Sequence, residues 1–193
     1  GSAVGGAVAI DFHDPASPVV RRADYDFSAS GHALCIVDTA SSHGDLTDDY
    51  ADITREMGAV AAYFGQKFLR DVPEADFHAA LPALRASCGD RAVLRALHYY
   101  EDDRRAVEEA EALAAGDFPR FLALVNASGL SSALHLQNTW SISDPRQQAI
   151  PVCLAVGREL LAGTGAIRVH GGGFAGTIQA FVPNDKLVSF KSG

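Results

Sequence analysis

The sequence predicts an α+β fold in which helices pack on one face of a mainly antiparallel sheet. Strand-like patterns occupy the start of the chain, helical periodicity fills its middle, and two more strand patterns come near its end. Segregated strands and helices are typical of α+β proteins, whereas a parallel sheet needs the two to alternate. With 193 residues, 48% of them hydrophobic, the chain can bury the core of one domain, with room for an appendage.

The first elements are predicted to be strands. Residues 5–12 and 19–27 are joined by HDPASP, a polar stretch with two prolines that is typical of a turn, so we predict a hairpin. Residues 33–39, ALCIVDT, form a third strand that is apolar enough to lie at the centre of a sheet.

A helix should follow the polar stretch SSHGDLTDD. Thr47 is the predicted N-cap residue, and the carboxylates of Asp48 and Asp49 suit the positive end of the helix dipole. Gly65 is predicted to end the helix. One apolar face recurs at spacings of three and four residues: Tyr50, Ile53, Met57, Val60 and Phe64.

A long helix is predicted from about residue 90 to residue 115, after short helical pieces over 71–89. The EDDRR and EEAE stretches should lie on its solvated side. Its inward positions are expected to be Val93, Leu97, Tyr100, Val107, Ala110 and Ala114.

Two more helices and two strands are predicted after the long helix. Asp117 should cap the first of these helices. In the second, Asp144 is the predicted cap, Pro145 the first helical residue and Gly163 the end. Pro151 conflicts with this assignment, so the helix either bends there or begins nearer Ile150. The strands are AIRV, residues 166–169, and TIQAFV, residues 177–182.

The composition argues against several classes of function. Acidic residues outnumber basic ones by 24 to 16, which gives a net charge of −8 and a pI of about 5.2. Such a surface argues against nucleic acid as a partner and against docking on anionic membranes. The three cysteines are widely spaced, so we expect reduced thiols. No signal peptide or membrane-spanning run is visible, which predicts a cytoplasmic protein.

The segment AIRVHGGGFAGTIQAFV, residues 166–182, raises the main functional question. Gly171, Gly173 and Gly176 satisfy GxGxxG, but a β-branched strand follows where a dinucleotide site needs a helix, so we reject that interpretation. A turn between two strands needs one or two glycines, and this one has four. The surplus indicates close approach of the backbone to a ligand, a second domain or another strand. A plain turn and a ligand cradle stay equally open.

Three segments, taken together, resemble the C-terminal half of galactokinases, which are members of the GHMP kinase superfamily. They are ALCIVDTASSHGDLTDDY, RALHYYEDDRRAVEEAEALAAGDFPRFLALVN and AIRVHGGGFAGTIQAFV, and they follow the family's order and spacing. The similarity covers about residues 4–186. The third segment is similar to the superfamily's glycine-rich third motif, which lies at the nucleotide and substrate cleft, and the second is more specific to sugar kinases.

The resemblance implies a fold and an activity. The fold is the ferredoxin-like C-terminal domain of these kinases over residues 31–193, after a hairpin over residues 1–30 that continues from an absent N-terminal domain. The activity is transfer of a phosphoryl group from ATP, with Mg²⁺, to the anomeric hydroxyl of galactose or a close analogue. ATP and Mg²⁺ would be bound mainly by the N-terminal half. The family's catalytic aspartate and triphosphate loop also lie there, so no catalytic residue is expected in this chain and the chain alone should be inactive.

The resemblance also implies candidate site residues. Tyr50 matches a position whose side chain meets the sugar. His43 and Asp45 lie on the preceding loop, where the cleft is expected, and are further candidates for substrate contact; they lack a third partner for a metal site, so no metal ligands are assigned. The nucleotide and phosphate loop would be formed by four glycines: Gly171, Gly172, Gly173 and Gly176.

Three other positions carry weaker expectations. His98 is interpreted as a buried, hydrogen-bonded imidazole, His170 as a candidate phosphate contact, and Gly129 departs from a histidine that is common in the family. Two alternatives to a kinase stay open. One is a non-catalytic sugar sensor of the same fold, and the other is an orphan domain that forms a homodimer through the apolar surface its N-terminal half would cover.

Overall fold

The structure, a computed structural model, describes residues 6–14, 16–41 and 46–193. The strands are β1 Ala7–Asp11, β2 Val19–Ala23, β3 His32–Asp38, β4 Ala166–Val169 and β5 Thr177–Pro183. The helices are α1 Thr47–Tyr63, α2 Glu74–Ala79, α3 Leu81–Cys88, α4 Asp90–Ala114, α5 Phe118–Ser131, α6 Ala149–Leu161 and α7 Leu187–Ser192. Shorter turns are 3₁₀ at Phe27–Ser30, Leu69–Asp71 and Asn184–Lys186, and π-helical at Ser132–Leu136.

The strands form two antiparallel sheets. β1 and β2 pair with each other as the predicted hairpin, with Ala7 opposite Ala23. The second sheet has the order β3–β5–β4, so β3 lies at an edge and the prediction of a central β3 is wrong. The central strand is β5, which pairs with β3 on one side and β4 on the other. The apolar residues of β3 were misleading, since Leu34 and Ile36 lie on a face that stays exposed.

Helices cover both faces of the three-stranded sheet. The expected layer on one face is formed by α6 and α7, which cover alternate residues of β4 and β5 such as Ile167 and Ile178. α5 covers the opposite face near β4, where Phe121 packs with Ala166 and Phe181. The α+β class with antiparallel pairing is confirmed.

β4 is held between α5 and α6 at two helical glycines. A Cβ atom on Gly129 of α5 would lie 2.8 Å from Cβ of Arg168. A Cβ atom on Gly157 of α6 would lie within van der Waals overlap of Ile167, on the other face of the strand. Packing this close leaves no room for a side chain at either position. The tight crossing of α5 over β4 therefore explains why position 129 is glycine in this chain.

Helices α1 to α4 build a second core beside the sheet. The hydroxyl of Tyr100 on α4 donates to the main-chain carbonyls of Leu69 and Val72, which ties the segment before α2 to the long helix. Buried apolar side chains fill the space between these helices: Val60, Phe77, Leu84, Val93 and Ala96.

α4 buries two different faces along its length. Val93 and Tyr100 face inward as predicted, but Val107 and Ala114 are exposed and Leu113 is buried. The first half of α4 packs against α1 and α3, whereas the second half packs against α5 and the hairpin, so the buried stripe rotates around the helix. A single periodicity applied over all 25 residues could not reveal this rotation.

Helix boundaries follow local signals closely. α6 begins at Ala149, so the predicted start at Asp144 and Pro145 is wrong. Pro151 lies in the first turn, where its absent N–H is tolerated, and the alternative of a bent helix is excluded. The carboxylate of Asp117 caps α5 as predicted. α1 begins at Thr47 with Leu46 at the N-cap position, one residue earlier than predicted. α7 is not among the predicted elements.

Candidate functional site

The candidate site is built around the glycine loop, residues 170–176, which joins β4 to β5. Gly171, Gly173 and Gly176 have φ angles of 68°, 86° and 93°. L-residues with a side chain rarely adopt this left-handed region, so these three glycines are required by the backbone itself. Gly172 has no such angle, and its presence needs another reason.

Tyr50 supplies the reason for Gly172. A Cβ atom on Gly172 would lie 2.7 Å from Cε1 of the Tyr50 ring. The hydroxyl of Tyr50 donates to the carbonyl of Gly173 at 2.9 Å, and its ring meets the edge of Phe174 with centroids 5.2 Å apart. Tyr50 is still 39% exposed. The loop therefore packs against the first turn of α1, at the residue that the resemblance assigns to the sugar.

Asn138 meets the loop from the opposite side. Its Nδ2 donates to the carbonyl of Gly172 at 3.1 Å, and its main-chain carbonyl accepts from the amide of Phe174 at 2.5 Å. A Cβ atom on Gly173 would overlap that carbonyl, at 2.1 Å. No local pattern marks Asn138, and sequence reasoning missed it because its partners lie 34 or more residues away.

The end of β3 fastens the far side of the loop. The amide and hydroxyl of Thr39 donate to the carbonyl of Gly176 at 2.8 and 2.7 Å, and the amide of Gly176 donates to the hydroxyl of Ser41 at 2.9 Å. The chain then enters residues 42–45, so the predicted substrate contacts His43 and Asp45 lie outside the described residues.

Three consecutive amides of the glycine loop have no acceptor in the part of the chain that the structure describes. Within the described parts of the chain, the N–H groups of Gly171, Gly172 and Gly173 donate to no protein acceptor. Gly171 and Gly172 are exposed, whereas Gly173 is buried. Successive main-chain N–H groups with alternating left- and right-handed backbone form concave sites for anions. The loop can therefore offer N–H donors to a negatively charged or oxygen-rich ligand.

His170 and His98, which stood out in the sequence, both contact other side chains. The Nδ1 atom of His170 lies 3.0 Å from the side-chain oxygen of Gln179 on β5. His98 is buried, as predicted, with Nδ1 2.9 Å from the hydroxyl of Ser131. Burial lowers the pKa of His98 below its usual value and outweighs the opposite effect of Asp102. His98 is thus part of the contact between α4 and α5.

The polar side of α4 is less solvated than predicted. Asp102 accepts from Ser128 of α5 at 2.6 Å and pairs with Arg105 at 2.7 Å, and Ser128 in turn accepts from Arg168 of β4 at 2.5 Å. Burial alone would raise the pKa of Asp102, but the hydrogen bonds from Ser128 and Arg105 and the charges of His98 and Arg168 lower it. Carboxylates that looked solvated in the sequence therefore join α4 to α5 and β4.

Arg95 links α4 to the segment that precedes Asn138. It is 2% exposed, donates from Nε to the carbonyl of Leu136 at 3.1 Å, and pairs through Nη1 with Glu56 of α1 at 2.9 Å. Glu56 also pairs with Arg91, so two arginines share one carboxylate that is itself largely buried. Helix α1, which carries Tyr50, and the chain before Asn138 are thus fastened to the same side chain.

Two clefts lie elsewhere on the surface. One of about 380 Å³ lies between α1 and α4 and is lined by Met57, His98 and Tyr99, among others. The other, of about 510 Å³, lies at the opposite end of β4 from the glycine loop, near His32 and Asn126. Neither is lined by Tyr50 or the glycine loop. Among the described residues, no group of three His, Cys, Asp or Glu side chains is arranged to hold a metal ion, and no helix is both long and apolar enough to cross a bilayer.

Comparison with known proteins finds galactokinases as relatives of this chain. No protein-family model matches the chain. Galactokinase of Actinobacillus pleuropneumoniae serotype 3 is 29% identical over 157 residues, which are 81% of this chain and 39% of the relative. Galactokinase of Streptomyces coelicolor is 32% identical over 164 residues, 84% of this chain and 39% of the relative. The chain thus spans about two fifths of the length of the curated relatives it matches.

A solved structure shows the same fold. Lactococcus lactis galactokinase complexed with galactose matches 97% of this chain and 46% of its own with a TM-score of 0.70, at 19% sequence identity. The α+β architecture, with its antiparallel sheets, therefore matches part of the fold of that galactokinase. Together, the relatives and the shared fold show that the chain is similar to a C-terminal portion of galactokinases.

Proposed function

We propose that this chain forms the C-terminal part of an ATP-dependent sugar kinase that phosphorylates galactose or a close analogue at its anomeric hydroxyl. The observation that carries the proposal is the packing of the glycine loop against Tyr50, with the Tyr50 hydroxyl held by the carbonyl of Gly173. A plain turn would not require glycine at position 172. Packing of the loop against the Tyr50 ring does require it, because a side chain there would collide with the ring.

Tyr50 would provide the sugar-facing wall of this site. Its hydroxyl is fixed by the loop and one ring edge by Phe174, yet the side chain keeps 39% of its surface exposed. A fixed aromatic ring can lie against the C–H groups of a sugar without losing further conformational freedom. His43 and Asp45, on the loop before α1, remain our predicted hydrogen-bond partners for the sugar hydroxyls.

The glycine loop would face the phosphates of ATP. Phosphoryl transfer depends on positioning and on donors aimed at charged oxygens, and the amides of Gly171 to Gly173 are such donors. ATP supplies the phosphoryl group, and Mg²⁺ neutralises its charge. The acceptor-orienting carboxylate and the triphosphate loop would come from the part of the galactokinase fold that this chain does not span. We therefore expect residues 1–193 alone to be inactive.

The exposed apolar surface supports such a second part. Ile10 and Val20 of the hairpin, together with Leu34 and Ile36 of β3, are exposed although they are large and apolar. Apolar patches of this kind mark contacts with other chain segments. We propose that the remainder of the kinase fold covers them. A homodimer of the isolated chain through the same surface is the alternative that sedimentation would distinguish.

The test measures galactose-dependent ADP formation by the product of the complete reading frame and by residues 1–193 alone. We expect activity from the former and none from the latter. Tyr50→Ala should raise the KM for galactose about tenfold, the value of one aromatic contact. Tyr63→Ala is the matched control, because Tyr63 lies on the same helix, is 47% exposed and does not touch the loop.

Two results would contradict the kinase. Galactose binding by the complete product without ADP formation would favour the non-catalytic sugar sensor. Equal effects of Tyr50→Ala and Tyr63→Ala on KM would remove Tyr50 from the sugar site.

A further inference from the structure

We infer that Asn138 is a positioning residue, which holds the glycine loop in the conformation that leaves the amides of Gly171 to Gly173 free for a ligand. The inference depends on three features: the two bonds from Asn138 to the loop, the backbone strain on both sides of them, and a side-chain oxygen without a partner. Its catalytic consequence rests on the proposed function, whereas its structural consequence does not.

Asn138 holds the loop on both sides of Gly173. One of its bonds fixes the carbonyl of Gly172 and the other fixes the amide of Phe174, so both peptide groups that flank Gly173 are held by a single residue. Gly173 itself passes so close to the Asn138 carbonyl that no side chain fits. Neither bond uses the amides of Gly171 to Gly173, which therefore remain available.

The backbone is strained where the two segments meet. Gln137 and Phe174 have φ angles of 57° and 62°, in the left-handed region that residues with side chains avoid. Such residues persist only where their surroundings hold them, and they cluster at functional sites. The π-helical turn Ser132–Leu136 comes directly before Gln137, and π turns inside helices are also frequent at such sites.

The buried side chain of Asn138 leaves part of its hydrogen-bonding capacity unused. It is 3% exposed, and its Oδ1 has no hydrogen-bond partner among the described residues. Asn126 shows the opposite arrangement at the other end of β4. Its Nδ2 donates to the carbonyl of Gly165 and its Oδ1 accepts from the amide of Ile167, both at 3.0 Å. A buried oxygen without a donor destabilises a fold, so stability alone does not account for Asn138.

Asn138 is itself anchored to the helix that carries Tyr50. Arg95 binds the carbonyl of Leu136, two residues before Asn138, and the same guanidinium pairs with Glu56 of α1. Tyr50 lies in the first turn of this helix, and its hydroxyl bonds to the carbonyl of Gly173 in the glycine loop. The Tyr50 ring and the glycine loop are therefore connected through Arg95 as well as directly. Asn138 is the residue that joins the segment bound by Arg95 to the loop.

The first test measures amide hydrogen exchange in the product of the complete reading frame. Asn138→Ala should speed exchange at Phe174, Ala175 and Gly176 by about tenfold or more, because local opening of the loop becomes easier. Asn126→Ala is the matched control; it should speed exchange at Ile167 and leave the loop unchanged. Equal loop exchange in wild type and Asn138→Ala would overturn the inference.

The second test uses an isosteric variant. An ionised aspartate at position 138 has the shape of asparagine but no donor for the Gly172 carbonyl. Burial raises the pKa of such a carboxyl, so the donor returns when the pH falls. The kcat deficit of Asn138→Asp relative to wild type should therefore shrink on acidification, whereas a deficit that is independent of pH would contradict a positioning bond.

The kinetic signature separates positioning from binding. Asn138→Ala should lower kcat about tenfold or more, as expected when reacting groups are slightly displaced, and leave the KM for galactose within about threefold, because Tyr50 stays in place on α1. A rise in KM at constant kcat would overturn the inference. If the wild-type protein forms no galactose-dependent ADP, the proposed function is contradicted, and the exchange comparison still decides the role of Asn138.

Discussion

The two ends of β4 are fastened by asparagines in different ways. At the start of the strand, Asn126 uses both polar atoms of its side chain on neighbouring main-chain groups. At its far end, Gln137 beside Asn138 is strained. Among residues 6–14, 16–41 and 46–193, one side-chain atom of Asn138 and three amides of the adjoining loop have no protein partner. The polar groups of the asparagine are therefore all paired at the end of β4 that only supports the sheet. Polar groups are left without protein partners, among the described residues, at the end where a ligand is expected.

The glycines around β4 also fall into two groups, which differ in backbone conformation and in role. Gly129 and Gly157 have helical backbone and serve close packing on the two faces of β4. Gly171 and Gly173 have left-handed backbone and shape the loop beyond it. Changes in the first group should act on the free energy of unfolding, and changes in the second on the site.

The largest effect on stability is expected from Gly129→Ala. The new methyl group would meet Cβ of Arg168 and the main chain of β4, and such crowding in a core costs about 1–3 kcal/mol. Gly58→Ala is the control, since Gly58 lies within α1 with open space around it, and should stabilise the protein by about 0.5–1 kcal/mol. Urea unfolding measures both, and a Gly129→Ala protein as stable as wild type would contradict the tight crossing.

Gly173→Ala should act on the site more than on the fold. Its methyl group would overlap the Asn138 carbonyl and its φ of 86° would be strained, so the loop must shift. We expect galactose-dependent ADP formation to fall about tenfold or more. Gly116→Ala is a matched control because Gly116 has a φ of 71° without any neighbour in the way; it should lose stability but keep activity. Equal losses of activity would show that strain, not contact, matters.

The pH dependence of the free energy of unfolding should report on His98, at the contact between α4 and α5. Burial lowers the pKa of His98 in the folded state, so the folded protein binds fewer protons there than the unfolded chain. The free energy of unfolding should therefore decrease as the pH falls below the unfolded pKa of about 6.5. The charged groups that act on the His98 ring are Asp102 and Arg105 of α4 itself, His135 of the π-helical turn and Arg168 of β4.

His98→Gln should flatten this slope between pH 7 and 5, measured as urea midpoints. His13→Gln, at an exposed position in the hairpin turn, is the control and should leave the slope unchanged. An unchanged slope in His98→Gln would show that another group carries the proton linkage.

The smallest effect is expected from Tyr50→Phe. It removes the hydroxyl that donates to Gly173, which costs about 1 kcal/mol of stability at this half-exposed position. Tyr63→Phe should change stability by a few tenths of a kcal/mol at most, as is usual at the surface. Thermal unfolding of both variants compares them, and identical shifts would mean that the Tyr50 bond contributes nothing.

Most elements could be predicted because their signals are local. Asp117 as a cap, Gly65 after α1 and the strands around the glycines depend on neighbouring residues, and the structure has them. The position of β3 at the sheet edge and the rotating face of α4 could not be predicted, since both depend on which distant segment each one meets.

The candidate site was predictable only in part. Four glycines and Tyr50 stood out in the sequence, and the structure brings Tyr50 onto Gly172 and Gly173. Asn138 gave no signal, because a lone asparagine is ordinary in any sequence and its loop partners are far along the chain. Arg95 opens the second segment of the resemblance, but its contacts with Leu136 and Glu56 could not be predicted because these residues are also far along the chain. His43 and Asp45 stay predictions.

The most direct measurement is a crystal structure of the product of the complete reading frame with galactose and a non-hydrolysable ATP analogue. We expect the sugar to lie within about 4 Å of the Tyr50 ring. We also expect a phosphate oxygen within about 3 Å of an amide among Gly171 to Gly173. A structure in which both ligands bind elsewhere, with the glycine loop facing solvent, would contradict the proposed site.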